Sequence, residues 1–243
     1  MKIILFVVSD IHSHYTALKK ALDEAGFDPN NENHWLLVCG DIFDRGGESE
    51  EVLQFIMSLE RKILVKGNHD ILFEELCKRE APCSHDYSNG TVRTLEDLGH
   101  MDMGYSFEKC CEVAWNRTAA YRDLLVNYFE TKNYIFVHSW IPLDTNWTSD
   151  PNWRNATNDR WEEAMWVNPF EMAIAGLNDT GKTIIFGHWH CSAGHKMLGH
   201  CDDEFEYAIW EPCFMDGAIG IDRCTAHTGE VNVLVLEDEF LEE

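Results

Sequence analysis

The chain has 243 residues, long enough to bury a sizeable core in one large domain or two small ones. It carries 43 acidic against 19 basic residues, a formal charge of -24, which argues against nucleic acid or anionic lipid as partners. The same charge repels a phosphorylated substrate, so any phosphate site must be made locally cationic by metal ions or arginine.

Residues 2–8 form a continuous apolar run with β-branched members, which predicts a strand buried on both faces. The run stops at Ser9-Asp10, too early for a signal peptide or a membrane span. No later stretch is long enough to span either, so a cytoplasmic protein is expected. Residues 15–25 carry apolar positions at helical spacing and stop at Gly26. Residues 35–39 predict a second buried strand, 50–59 a helix, 63–65 a third strand and 71–79 another helix. Strand and helix alternating in this way predict a mostly parallel sheet with helices packed on it. Residues 81–130 break the pattern: 81–90 read as a loop, and 91–98 and 107–130 as helices. No flexible linker flanks this stretch. It is therefore expected to be a helical insertion in a single domain spanning residues 1–243, serving either to select substrate or to cap the core. Residues 134–137 predict a strand, 141–158 a polar Trp-rich loop, 159–176 a helix broken at Pro169, and 183–186 a strand. Residues 205–210, 218–221 and 231–236 complete the series as strands, mixed or antiparallel, and 237–243 read as a solvated acidic tail. Trp147, Trp153, Trp161 and Trp166 are expected to pack rather than to stack on substrate.

Nine cysteines form no Cys-x-x-Cys pair, which predicts reduced thiols rather than a disulfide framework. Cys191, Cys201, Cys213 and Cys224 lie near His195 and His200, but their spacing fits no closed zinc motif.

Chemistry concentrates in five blocks, each next to an apolar run: Asp10-Ile-His12, the 40–46 segment with Asp41, Asp44 and Arg45, Asn68-His69, His138, and His188-Trp-His190. Asp, His and Asn are ligands for borderline or hard divalent cations, so two ions are expected, manganese first, with iron or zinc as alternatives. Two such ions ~3.5–4 Å apart need a bridging anion and can clamp an in-line displacement at phosphorus. Asp41 is the candidate bridge. Asp10 and His12 face the same side of an extended strand end and join Asp41 on the first metal. Asn68, His138 and His188 supply the second, and His190 is a further ligand to the first. A hydroxide held between the ions, available because coordination lowers the water pKa to ~7, is the expected nucleophile. His69, beside a ligand but not one itself, is the candidate general acid, with Asp44 orienting it. Arg45 offers a planar fork to phosphate oxygens.

These residues resemble the calcineurin-like metallophosphoesterase superfamily, in particular its phosphoprotein phosphatase branch. That branch includes bacterial and phage Ser/Thr phosphatases and the symmetrical diadenosine tetraphosphatases. The motifs carrying the resemblance are Gly40-Asp41-Ile-Phe-Asp44-Arg45-Gly46, Val65-Lys66-Gly67-Asn68-His69-Asp70, Val137-His138-Ser139-Trp140 and Trp166-Val167-Asn168-Pro169. The resemblance implies an α/β fold with a central mixed β-sandwich flanked by helices, a dinuclear Mn or Fe/Zn site, and phosphomonoester hydrolysis. The chain departs from the family pattern at Ser13, where Gly is usual, at Asp70, where Glu is commoner, and in having a second histidine, His190. The family's second phosphate-binding arginine is expected to be Arg154, with Arg160 as the alternative. The substrate expected first is a Ser/Thr phosphoprotein, and the alternative is diadenosine tetraphosphate or a related nucleotide. A third reading, a catalytically inactive metal-binding scaffold, predicts loss of the general acid or its carboxylate, whereas His69 and Asp44 are both present.

Overall fold

The computed structural model describes residues 2–144, 146, 148 and 150–241, so Trp147 lies outside the described residues. Strands β1 (Lys2–Val8), β2 (His34–Cys39) and β3 (Lys62–Val65) alternate with helices α1 (Tyr15–Ala25), α2 (Ser49–Ser58) and α3 (Asn68–Arg79). The insertion follows as α4 (Ser84–Asn89), α5 (Thr91–Leu98), a 3-10 turn, α6 (Phe107–Arg117) and α7 (Ala119–Arg122). Then come β4 (Leu125–Val126), β5 (Phe129–Glu130), β6 (Tyr134–Phe136), α8 (Asn158–Ala164), α9 (Pro169–Ile174) and β7 (Thr183–Phe186). The chain closes with α10 (Cys191–Met197), β8 (Cys213–Met215), β9 (Ala218–Gly220), α11 (Thr225–Thr228) and β10 (Leu234–Glu239).

The strands form two five-stranded mixed sheets, ordered β10-β1-β2-β3-β4 and β5-β6-β7-β9-β8. Strand periodicity explains how they stack. Ile3, Leu5 and Val7 alternate with Phe6 and Val8 along β1, so one set meets the second sheet and the other meets the helices. Between the sheets, Leu37, Cys39 and Val65 pack on Phe136, Ile185 and Ile219. The outer face of the first sheet is covered by apolar residues of α1, α2, α3, α5 and α6. The outer face of the second is covered by Trp140, Trp153, Trp161 and Phe170. The result is a sandwich of helices, sheet, sheet and helices, as the resemblance implied. No helix among the described residues is long and apolar enough to cross a membrane.

Several expected elements differ. Residues 84–89 are helical rather than loop, and Asp86 caps that turn by accepting the Cys83 N–H at 2.6 Å. Only Asp86 of this helix is buried, so there was no apolar stripe to read. The helix expected over 107–130 ends by Arg122, and 125–126 and 129–130 join the edges of the two sheets. Two-residue strands are too short to show a period. Residues 205–210 are not a strand: Asp203 accepts the N–H groups of Phe205 and Glu206 at 2.8 and 2.9 Å, which bends the chain into a turn. The acidic end is not free either. β10 runs antiparallel to β1, and buried Asp238 accepts Thr131 Oγ1 and Asn133 Nδ2, both at 2.6 Å.

Candidate active site

Five of the parallel strands, three from the first sheet and two from the second, deliver the five blocks. β1 leads to Asp10 and His12, β2 to Asp41 and Asp44, β3 to Asn68 and His69, β6 to His138, and β7 to His188. The chain must turn sharply after each strand to aim these side chains inward. Accordingly Asp10, His12, Asp41, Asp44, Arg45 and His188 all have φ between 49° and 74°, in the left-handed region. Asp and His tolerate that region better than most residues, yet each such position still costs of order 1 kcal/mol and persists only when its surroundings hold it. Ser13, also left-handed at φ 56°, shows why the family prefers Gly there. Its hydroxyl lies 2.9 Å from Ser49 Oγ, a contact that glycine would lack.

Two donor groups assemble. Ligand atoms of His12, Asp41 and His69 lie within 4.8 Å of one another, as do those of Asp41, His138 and His188. Asp41 is common to both, the arrangement a carboxylate bridging two cations requires. Asp10 Oδ1 is 3.9 Å from His12 Nε2, and Asp10 Oδ2 accepts the His188 N–H at 2.9 Å. His12 Nδ1–H donates to the Phe43 carbonyl at 2.8 Å and His138 Nδ1–H to the Cys39 carbonyl at 2.9 Å. Backbone acceptors thus fix both rings with Nε2 turned inward. His138 Nε2 faces Asn68 Oδ1 at 2.7 Å and Asp41 Oδ2 at 3.3 Å. Three lone-pair donors converge there, and only a cation, proton or metal ion, reconciles them. Nitrogen and oxygen donors without sulfur fit a borderline or hard divalent ion.

Electrostatics agree. Burial opposes charge on Asp41, but His138 and His69 outweigh it and hold the carboxyl well below the usual range. Burial lowers His138 too, yet Asp41 and Asp10 push it up to about 9. His188, desolvated and facing cationic neighbours, is pushed down to about 3 and keeps a free lone pair. Burial, with Asp41 close by, raises Asp10 despite the opposing pull of His138.

His69 Nδ1 is 2.7 Å from Asp44 Oδ2, and Arg45 Nη2 is 3.4 Å from His69 Nε2. The spacing of the blocks did not reveal what holds Asp44. Thr91 Oγ1 donates to it at 2.7 Å and Thr94 Oγ1 at 2.8 Å, both from the buried face of α5. Asp70 is likewise tied to the insertion, by the Tyr121 hydroxyl at 2.7 Å, while it accepts the Gly67 N–H at 2.8 Å. Threonines at i and i+3 on a buried helix face were the available signal.

Other expected site residues lie elsewhere. His190 enters neither donor group: its Nδ1 accepts the Ala193 N–H at 3.2 Å, capping α10, and its Nε2 faces Glu204 at 3.8 Å. Arg154 is bound to Glu130 at 2.6 and 2.7 Å, in a cleft of about 620 Å³ that none of the clustered donors lines. Arg160 pairs with Glu163 at 3.5 Å. The cysteines near His195 and His200 gather no donor group among the described residues, and His195 instead contacts His200 at 3.0 Å. Trp153 and Trp161 are buried against Tyr128, whereas Trp166 is 48% exposed with its ring centroid 6.3 Å from that of His188.

Comparison with known proteins matches residues 4–192 to the calcineurin-like phosphoesterase model. A symmetrical bis(5'-nucleosyl)-tetraphosphatase of Aromatoleum aromaticum is 35% identical over 118 residues, 42% of each chain. Across eight bacterial relatives of that name, the matched segment spans 22 to 42% of the relative's own length. Among solved structures, one described as a candidate diadenosine tetraphosphatase aligns over 99% of this chain and 95% of its own, with TM-score 0.57 and 15% identity. A protein serine/threonine phosphatase from Saccharomyces cerevisiae aligns over 99% and 81%, with TM-score 0.52 and 14% identity. At those identities the two structures speak for the fold alone. The family match spans most of the sequence, including all five blocks: this chain belongs to the calcineurin-like phosphoesterases.

Proposed function

We propose that the protein is a metal-dependent phosphoesterase that hydrolyses dinucleoside tetraphosphates, cutting the phosphate chain symmetrically into two nucleoside diphosphates. The observation carrying the reaction class is the pair of donor groups sharing the buried Asp41. The choice of substrate rests on the relatives, because the eight compared above, at 35 to 45% identity, bear the tetraphosphatase name whereas the protein phosphatase shares only the fold. Ser/Thr phosphoprotein, the substrate expected first from the sequence, thus becomes the second reading.

Two divalent ions bound there, with manganese suited to the donors, would supply an activated water and neutralise charge at phosphorus. Asp10, His12 and Asp41 would hold one ion, and Asp41, Asn68, His138 and His188 the other. Arg45, exposed beside the cluster, orients phosphate oxygens through its fork. His69, raised by Asp41 and Asp44 against the effect of burial, carries the proton for the leaving oxygen at Nε2. Asp44, bonded to Nδ1, keeps that ring in position. Free thiols and a nucleotide substrate fit a cytoplasmic setting. The test is turnover by manganese-loaded protein of diadenosine tetraphosphate against a phosphoserine peptide. At least a 100-fold higher kcat/KM for the dinucleotide, with ADP as sole product, is expected. The opposite preference would transfer the assignment to protein dephosphorylation.

A further inference from the structure

Charge pairing singles out two arginines. Of the nine in this acidic chain, Arg61, Arg79, Arg117, Arg154, Arg160 and Arg223 lie within 4.0 Å of a carboxylate. Arg122 stacks on Trp115 at 3.3 Å. Arg45 and Arg93 have no acidic partner within that range among the described residues, and both line one cleft of about 440 Å³. Arg93 comes from α5, in the insertion, and its Nη1 donates to the Arg45 carbonyl at 3.3 Å. Gly47 makes room for it: a Cβ there would stand 2.4 Å from Arg93 Nη2. Gly90 serves the same contact, since its Cβ would lie 2.3 Å from the Arg45 nitrogen. The guanidinium is therefore laid against the loop that carries the phosphate-orienting arginine. Glu96, one turn further along α5, lines the cleft too but pairs with neither arginine.

We propose that this cleft binds the phosphates beyond the reacting one, with Arg93 as the second phosphate-binding arginine and a determinant of specificity for polyphosphate chains. Arg45 spans the two regions, its fork beside His69 and its backbone under Arg93. A chain lying on it runs from the donor groups into the cleft, where two guanidinium groups stand against the single carboxylate of Glu96. A cleft of this size accommodates such a chain, and two unpaired guanidinium groups match its repeated charge. An orthophosphate group or a small monoester reaches only the Arg45 end.

This inference rests on the proposed class of substrate, so its test separates the two. Inhibition of p-nitrophenyl phosphate hydrolysis by inorganic tripolyphosphate and by orthophosphate would be compared at fixed free manganese. Wild type should bind tripolyphosphate at least 10-fold more tightly than orthophosphate. Arg93→Ala should collapse that ratio, and Arg93→Lys should keep part of it. The KM for diadenosine tetraphosphate should rise at least 10-fold more in R93A than the KM for p-nitrophenyl phosphate. An unchanged inhibition ratio in R93A overturns the cleft even if the dinucleotide is hydrolysed. A collapsed ratio in a protein that never cleaves the dinucleotide supports the cleft and overturns the substrate.

Discussion

At the residue scale, the site depends on backbone that only its surroundings make tolerable. Six chemistry-bearing residues sit at positive φ, and glycines stand where strand ends come closest together. Gly67 is the sharpest case, since a Cβ there would lie 2.0 Å from Asp41 Oδ1 and 2.6 Å from the Asp41 nitrogen. Gly67→Ala must therefore displace the carboxylate shared by both donor groups. We expect it to lose manganese and to lower kcat/KM by about 100-fold, the size of loss that a misplacement near 1 Å can cause. Metal content by mass spectrometry checks this, and two tightly held ions in G67A would contradict the close approach. His69 poses a second question, because it falls in a donor group although its sequence position assigns it to proton transfer. Its Nδ1 is already committed to Asp44, so Nε2 alone faces the centre. As a general acid, His69→Asn should keep both ions. It should lose ~10²–10⁴ in turnover of an alkyl phosphate but much less with p-nitrophenyl phosphate, whose leaving group needs no proton. Loss of an ion in that variant would make His69 a ligand instead.

At the element scale, the insertion explains both what was legible in the sequence and what was not. The strands that carry the blocks are apolar runs of three to seven residues that end buried, so they could be read directly, and the blocks at their ends with them. The links between blocks were invisible, because Asp44 meets Thr91 and Thr94 across 47 and 50 residues of sequence. No local period encodes such a contact. Arg154 misled for a related reason: a guanidinium in a Trp-rich loop looks available until Glu130, 24 residues earlier, is seen to hold it. The insertion thus does not merely cap the core, since α5 supplies the hydroxyls that fix the orienting carboxylate. Replacing both hydroxyls at once, Thr91→Val with Thr94→Val, leaves the helix and its packing nearly isosteric. Partners of this kind are commonly worth about 10- to 100-fold. The double variant should lose that much kcat on an alkyl phosphate while retaining its metal, and unchanged kcat would show that Asp44 is held well enough without α5.

At the scale of the whole molecule, an excess of acid is managed by committing most basic side chains to carboxylates. Glu130 is one example. It sits at the edge strand β5 and receives Arg154 from the Trp-rich loop and Lys182 from just before β7, at distances of 2.6 to 2.7 Å. Three segments far apart in sequence meet on one carboxylate that is 8% exposed. The Arg154 hydrogen bonds, aided by Lys182 and opposed by burial, hold its pKa below the ordinary value. A carboxyl depressed in the folded state stabilises the fold above its unfolded pKa of about 4.3. That contribution disappears as pH falls from there through the lower folded value, where protonation frees both cations. Glu130→Gln should therefore lower the melting temperature at pH 7, by about 4–8 °C if the lost charge is worth about 2 kcal/mol. The variant and wild-type curves should converge as pH drops below about 4, because the wild-type carboxyl is then neutral as well. Thermal melts at pH 7, 5 and 3 would show this, and a gap that stays constant across the series would mean that the junction is held by packing rather than by charge.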